Sequence, residues 1–308
     1  MENIYFKQVK HLLLCIVLVA IGTACNKAAG SGEKDIHKVK TAEDPISFTN
    51  GYSEVNGLKM YYEIYGENEG TPLVLIHGGG STIQSNFGKI IPSLAKDRKV
   101  VAMELQAHGR TEDRNTEVTF EQDADDVASL LKNLQIDKAD FFGFSNGGTT
   151  TIQIAIRHPQ MVNKLIIGSA LVKRHGVPNW FWGFMENATL DNMPPQLKTA
   201  YLQVAQDSTG LQRMHDRDAK RMINFKDIPD EQIVSIKAPT LIIIGDKDII
   251  TPEHAIELHR QMANSQLAII PGGHGEYIGE ITTINADFKE NELIVPMIEK
   301  FLNQKVEE

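Results

Sequence analysis

A serine set among glycines, Gly143-Phe144-Ser145-Asn146-Gly147-Gly148, stands at the sharpest junction in the sequence. An apolar run precedes it and an amphipathic stretch follows, which puts the serine on a tight turn between a strand and a helix. The backbone is crowded at such a turn, so glycines flank the serine and its side chain is pushed outward. A serine hydroxyl is a weak nucleophile at neutral pH. It needs a base beside it and a carboxylate to orient that base. Both occur downstream. His274 lies in Pro271-Gly272-Gly273-His274-Gly275, just past the apolar run 267–270, and Gly245-Asp246-Lys247-Asp248 follows the run 241–244. Asp246 and Asp248 are two residues apart, and residue type alone lets either face the histidine. An attacked carbonyl also needs donors for its developing negative charge, and His77-Gly78-Gly79-Gly80 follows the run 73–76 as such a loop should. The expected oxyanion donors are the backbone N–H groups of Gly79 and of Asn146, the residue after the nucleophile.

Elements must bring these groups together. From about residue 45 onward, short apolar runs alternate with amphipathic ones, the pattern of a mostly parallel sheet flanked by helices. A hairpin is expected through 52–55 and 58–65, turning at Asn56-Gly57. Buried strands are expected at 73–76, 100–103, 140–144, 164–167, 241–244 and 267–270. Helices are expected at 87–95, 120–134, 146–157, 252–262 and 293–302. The fold class is α/β. From 171 to 237 the alternation breaks down, and a helical cap inserted between two core strands is the simplest reading. Its position puts it over the carboxyl ends of the strands, where open α/β sheets bind ligands. The core is then 45–170 together with 238–308.

With these residues in view, the chain resembles a capped α/β hydrolase of the esterase, haloperoxidase and carbon–carbon hydrolase group. The resemblance runs from about Gly51 to Leu302, through His77-Gly78, the serine turn, the Gly245–Asp248 turn and Gly273-His274. It implies the α/β-hydrolase fold, the chain order Ser145, Asp248, His274 for a catalytic triad, and Asp248 rather than Asp246 as the acid, with Asp246 capping its turn. The group usually carries Asp-x-x-Gly-His-Gly-x-Ser after the strand at 100–103; here the turn reads Glu104-Leu105-Gln106-Ala107-His108-Gly109-Arg110-Thr111. The segment 275–291 is also longer than usual. A serine at the elbow, where related dehalogenases and epoxide hydrolases use aspartate, argues against those reactions. Ester hydrolysis is the leading expectation, in the carboxylesterase class, with a small-molecule substrate and no cofactor or metal. Carbon–carbon cleavage, perhydrolysis and an aminopeptidase-like amide cleavage share the triad and stay open, as does a binding protein on the same fold.

Other polar and aromatic residues carry weaker signals. His77 and His108 read as loop-orienting residues, and His158 before Pro159 as a helix end. His175, His215, His254 and His259 show no metal-ligand spacing. In the cap, Trp180, Phe181, Trp182 and Phe184 cannot all face one core from a helix, so Trp180, Trp182 and Phe184 are candidates for lining an apolar pocket. Glu186 and Asp191 are candidates for holding a substrate ammonium.

The first 25 residues differ in kind. Lys7 and Lys10 precede an apolar run from 12 to 21, then Gly22-Thr23-Ala24-Cys25. The run is shorter than the roughly 20 residues a membrane-spanning helix needs, and the pattern is that of a cleaved signal peptide. Its end resembles a bacterial lipobox with Cys25 as the lipidated residue, although Gly22 stands where that motif has an aliphatic residue. A polar tether, 26–44, follows. This predicts an exported protein anchored in a cell-envelope membrane by its lipid, or else simply secreted. Of the two cysteines only Cys25 would survive cleavage, so no internal disulfide or thiol nucleophile is expected. A net charge of −9 argues against nucleic acid as a partner.

Overall fold

The computed structural model describes residues 37–38, 47–284, 289 and 291–305. The signal-like segment with Cys25, and the 26–44 tether apart from His37 and Lys38, lie outside them. Nine described strands form one sheet: β1 (His37–Lys38), β2 (Ser47–Val55), β3 (Leu58–Tyr65), β4 (Leu73–Ile76), β5 (Val100–Met103), β6 (Ala139–Phe144), β7 (Val162–Gly168), β8 (Thr240–Gly245) and β9 (Ser265–Ile270). Their order is β1-β2-β3-β5-β4-β6-β7-β8-β9. The first pairings are antiparallel, and from β5 to β9 every pairing is parallel. β2 and β3 close through Asn56-Gly57, both at positive φ (48° and 76°), as a two-residue hairpin loop requires.

Parallel strands need crossovers, and these put helices on both faces. They are α1 (Ile83–Phe87), α2 (Ile91–Leu94), α3 (Phe120–Asn133), α4 (Asn146–Arg157), α5 (Asn179–Glu186), α6 (Pro195–Ala205), α7 (Ser208–Ile223), α8 (Asp230–Ser235), α9 (Pro252–Gln261) and α10 (Asn291–Leu302). Alternate side chains of one strand feed two cores. Val74 and Ile76 of β4 pack with Val127, Leu130 and Leu131 of α3 and with Ile152 of α4. Leu73 and Leu75 pack with Phe87 of α1, Leu94 of α2 and Ile298 of α10. Burial on both faces is why these strands read as unbroken apolar runs.

Three expectations shift. The helix expected over 87–95 is two helices: Gly88 caps α1, and Pro92, with no N–H to give, sits in the first turn of α2. The hairpin starts at Ser47, five residues before the expected Tyr52, because Thr49-Asn50-Gly51 carries no apolar alternation and only Phe48 of that stretch is buried. The cap is also smaller than 171–237. Leu171, Val172 and Val177 at one root, and Phe225, Ile228, Ile233 and Ile236 at the other, join the core of α3 and α4. The inserted helices α5–α7 remain, with a small cluster of Met193, Tyr201, Leu211 and Met214 against Ala107.

Candidate active site

Ser145 sits between β6 and α4 at φ 54° and ψ −122°. That conformation costs a non-glycine residue on the order of 1–3 kcal/mol and persists only where its surroundings enforce it. They do: a Cβ on Gly147 would lie 2.1 Å from the Ile76 carbonyl oxygen, and one on Gly143 would lie 2.1 Å from that of Gly147. From this turn the Ser145 hydroxyl donates to Nε2 of His274 at 3.0 Å, and Nδ1 of His274 donates to Oδ1 of Asp248 at 2.7 Å. The Asp248 side chain is wholly buried. Its Oδ1 also accepts the Ile250 N–H at 3.0 Å, and its Oδ2 accepts the Ser169 hydroxyl at 2.6 Å. Ser169 in turn pairs with the Tyr277 hydroxyl at 2.9 Å. Asp246 accepts the Gly272 N–H at 2.8 Å, so it caps the turn and leaves Asp248 to the histidine.

The electrostatics of the pair follow. Burial penalises the charged form of His274, but the charge and hydrogen bond of Asp248 outweigh it and raise its pKa above the ordinary value. Burial likewise works against ionised Asp248, yet His274 and the two further donors, Ser169 and the Ile250 N–H, hold its carboxyl below the usual range. The ring of Phe144 lies 4.8 Å from that of His274 and covers it.

The loop after β4 is held peptide by peptide. The Gly78 N–H donates to Asn86 Oδ1 at 2.6 Å, and its carbonyl accepts Nδ1–H of His77 at 2.7 Å. Nε2 of His77 accepts the Leu105 N–H at 3.0 Å, and burial pushes the pKa of this ring down to about 3, so it is neutral. The Gly80 N–H donates to Oδ2 of Asp218, on cap helix α7, at 2.6 Å. Gly79 lies between: a Cβ there would lie 2.5 Å from Nδ2 of Asn146 and 3.1 Å from Asp218 Oδ2. Among the described residues the N–H groups of Gly79 and Asn146 have no acceptor, and the second is also one of the open donors at the α4 N-terminus.

The chain is similar to known hydrolases. Residues 71–207 match the family model for the alpha/beta hydrolase fold. The sequence is 27% identical to the human serine hydrolase BPHL over 79% of this chain and 87% of that one. It is 36% identical to 2-hydroxymuconate semialdehyde hydrolase of Pseudomonas sp. strain CF600, over 35% of this chain and 39% of that one. In structure it resembles 2-hydroxy-6-oxo-6-phenylhexa-2,4-dienoate hydrolase from Rhodococcus sp. strain RHA1, with TM-score 0.69, 19% identity, and coverage of 84% of this chain and 100% of that one. The chain has the α/β-hydrolase fold. The family model and the curated relatives together support an α/β-hydrolase family for it.

Within this α/β-hydrolase fold, the residues expected to line the pocket are distributed differently. Trp182 is spent on packing: its ring lies between the Arg174 guanidinium, 3.6 Å from its centre, and Phe225, and its Nε1 donates to the Arg174 carbonyl at 3.1 Å. It pins α5 to the core instead of lining a pocket. Trp180 and Phe184 stand 62% and 46% exposed, and Glu186 and Asp191 are exposed as well. The apolar cap side chains against the oxyanion loop are Met193 and Leu197, which a Cβ on Gly80 would meet at 3.1 and 3.5 Å.

The altered turn after β5 is rebuilt around its own residues. Glu104 is buried and accepts from Arg110 through the backbone N–H (2.7 Å), Nε (3.0 Å) and Nη2 (2.6 Å). Ala107 adopts φ 67° there, a left-handed conformation costly for alanine. In the segment after His274, Tyr277 is driven into the core beneath Ser169, the Ile281 N–H donates to the Ser85 carbonyl, and Thr283 donates to the His274 carbonyl. Residues 285–288 and 290 lie outside the described residues. His158 ends α4 and bonds Asp125 at 2.8 Å.

One group among the described residues, His175, His254 and Glu257, has ligand atoms within 4.8 Å of one another. Nε2 of His254 accepts the Val172 N–H at 3.1 Å, and burial lowers the pKa of the ring to about 4. The single proton of the neutral ring is therefore on Nδ1, the atom facing the group, which leaves no lone pair there for a metal. The polar groups that sequence reasoning missed are Ser169, Tyr277, Asp218, Arg221 and Asp123.

Proposed function

We propose that the protein is a serine hydrolase that cleaves carboxylic esters through an acyl-enzyme. The observation that carries the reading is the unbroken relay Ser145 Oγ–His274 Nε2–His274 Nδ1–Asp248 at 3.0 and 2.7 Å, with Ser145 held on a left-handed turn. In this reading Ser145 attacks the carbonyl carbon while its proton passes to Nε2 of His274. Asp248 holds the ring in the Nδ1–H tautomer and stabilises the imidazolium. The oxyanion is met by the N–H groups of Gly79 and Asn146, each such donor being worth about 3 kcal/mol of barrier. His274 returns the proton to the leaving alkoxide, and water repeats the cycle to release the acid.

A second reading is carbon–carbon cleavage of a dienoate by the same residues. It is favoured by the likeness to 2-hydroxymuconate semialdehyde hydrolase. The residues 7–25, with their basic start, apolar run and terminal Cys25, support export and lipid anchoring in a cell-envelope membrane. The test is turnover of p-nitrophenyl esters from acetate to decanoate by the full chain, beside Ser145→Ala, with labelling by a fluorophosphonate. Turnover and labelling that both vanish in the variant support the reading. A chain that is labelled at Ser145 but cleaves only a dienoate favours the second, and one that is neither labelled nor active overturns both.

A further inference from the structure

We propose that Asp218, on cap helix α7, is the positioning residue for the oxyanion donor Gly79, so that cap docking and formation of the oxyanion hole are one event. The proposal rests on the serine-hydrolase reading above. Glycine has wide conformational freedom, so a glycine N–H aims at one point only if the peptides on both sides are fixed. On the near side the core supplies the restraints: Asn86 holds the Gly78 N–H at 2.6 Å and His77 holds the Gly78 carbonyl at 2.7 Å. On the far side, the peptide joining Gly79 to Gly80 has its N–H held at 2.6 Å by Asp218 of the cap, with Nε2 of His108 farther off at 3.2 Å from the same nitrogen and a 3.3 Å contact from the Ser81 hydroxyl to its carbonyl. The cap carboxylate is the firm restraint on that side.

Asp218 is in turn immobilised more thoroughly than a simple cap anchor requires. Nε2 of His108 donates to the same Oδ2 at 2.9 Å, and Arg221, one turn along α7, donates to Oδ1. Arg221 also donates to Asp123 of α3 at 2.6 Å, and all four side chains are buried. Apolar packing would staple a cap to a core at lower cost than four desolvated ionisable groups. What this cluster gives and apolar packing cannot is a fixed acceptor for a backbone N–H. A Cβ on Gly79 would lie 2.5 Å from Nδ2 of Asn146 and 3.1 Å from this carboxylate, so the loop is hemmed in by the nucleophile turn on one side and the cap on the other.

The test compares wild type, Asp218→Asn and Asp218→Glu as full chains. Readouts are kcat and KM on p-nitrophenyl acetate, the Ki of a trifluoromethyl ketone, and thermal stability. The ketone forms a hemiketal with Ser145 whose oxyanion occupies the hole, so its affinity reports the hole directly. In Asp218→Asn we expect kcat to fall about 10- to 100-fold, with KM unchanged and the ketone weakened by the same factor as kcat/KM. If the amide variant does not fold, Asp218→Glu is read in the same way, since it keeps the charge beside His108 and Arg221 but displaces the oxygens. A variant that loses stability yet keeps kcat and ketone affinity overturns the proposal and leaves Asp218 a mere staple. Wild type that neither turns over an ester nor binds the ketone overturns the hydrolase reading, and this proposal falls with it.

Discussion

Removing the Ser169 hydroxyl separates what supports the catalytic carboxylate from what uses it. Among the described residues Ser169 is the one donor to Asp248 Oδ2, at 2.6 Å, in a pocket where the carboxylate is wholly buried and Ser169 itself 1% exposed. A hydrogen bond to a buried charge contributes about 1.5–3 kcal/mol. Ser169→Ala also leaves the Tyr277 hydroxyl without its partner. At a loss of about 2 kcal/mol the thermal midpoint should drop by about 4–8 °C for a domain of this size. Because the pKa of Asp248 is depressed, its stabilisation is present above the ordinary carboxylate range and lost as pH falls below it. The deficit of the variant should therefore be full at pH 7 and shrink in acid. Catalysis responds with its own sign. A carboxylate with one donor fewer is more basic, holds the His274 proton harder, and moves the acid limb of kcat/KM to higher pH. The shift should be no more than about 1 unit, which already corresponds to about 1.4 kcal/mol. Plateau activity should fall little, since Asp248 is charged in ground and transition states alike. Urea denaturation at pH 7 and pH 4, with kcat/KM from pH 5 to 9, measures both. An acid limb displaced to lower pH, or a plateau as low as that of Asp248→Asn, would refute the reasoning.

Three further substitutions read other parts of the structure. Arg221→Met leaves Asp123 and Asp218 buried without their shared cation and should cost about 3–5 kcal/mol in urea unfolding, partly restored by adding Asp123→Asn. His108 and His274 both have raised pKa values, so their stabilisation is full below about pH 6.5 and is lost as pH rises through their higher folded values. The thermal midpoint should decline from neutral to alkaline pH, and His108→Gln should make the decline shallower; an unchanged slope would count against the His108–Asp218 pairing. Gly147→Ala drives a Cβ to 2.1 Å from the Ile76 carbonyl oxygen and should abolish folded protein, whereas a Cβ on Gly183, in exposed α5, meets nothing within 4 Å. Gly183→Ala should therefore stabilise by up to about 1 kcal/mol through helix propensity, and circular dichroism melts separate the two.

What the sequence made legible was local. Ser145 and Asp248 each follow a strand buried on both faces, and His274 follows the edge strand β9, which still carries the apolar run 267–270, so an apolar run followed by a turn announced each of them without knowledge of the others. The break between α1 and α2 was missed although Gly88 and Pro92 mark it, because the apolar composition of the stretch hid it. The support of the site was not local. Ser169 follows Gly168 at the end of β7 and reads as an ordinary turn residue; its partner lies 79 positions away. Asp218 and Arg221 are one turn apart on α7, which reads as a solvated charged face, and only contacts 138 and 98 residues distant show them to be buried. The same gap explains the cap aromatics. A run of four rings signals burial somewhere, but whether Trp182 faces a pocket or wedges between Arg174 and Phe225 depends on where residue 225 returns to the core. Chemistry placed by single turns can thus be read from one stretch of chain, while the carboxylates that hold that chemistry in position are set by the closure of a cap that no single stretch describes.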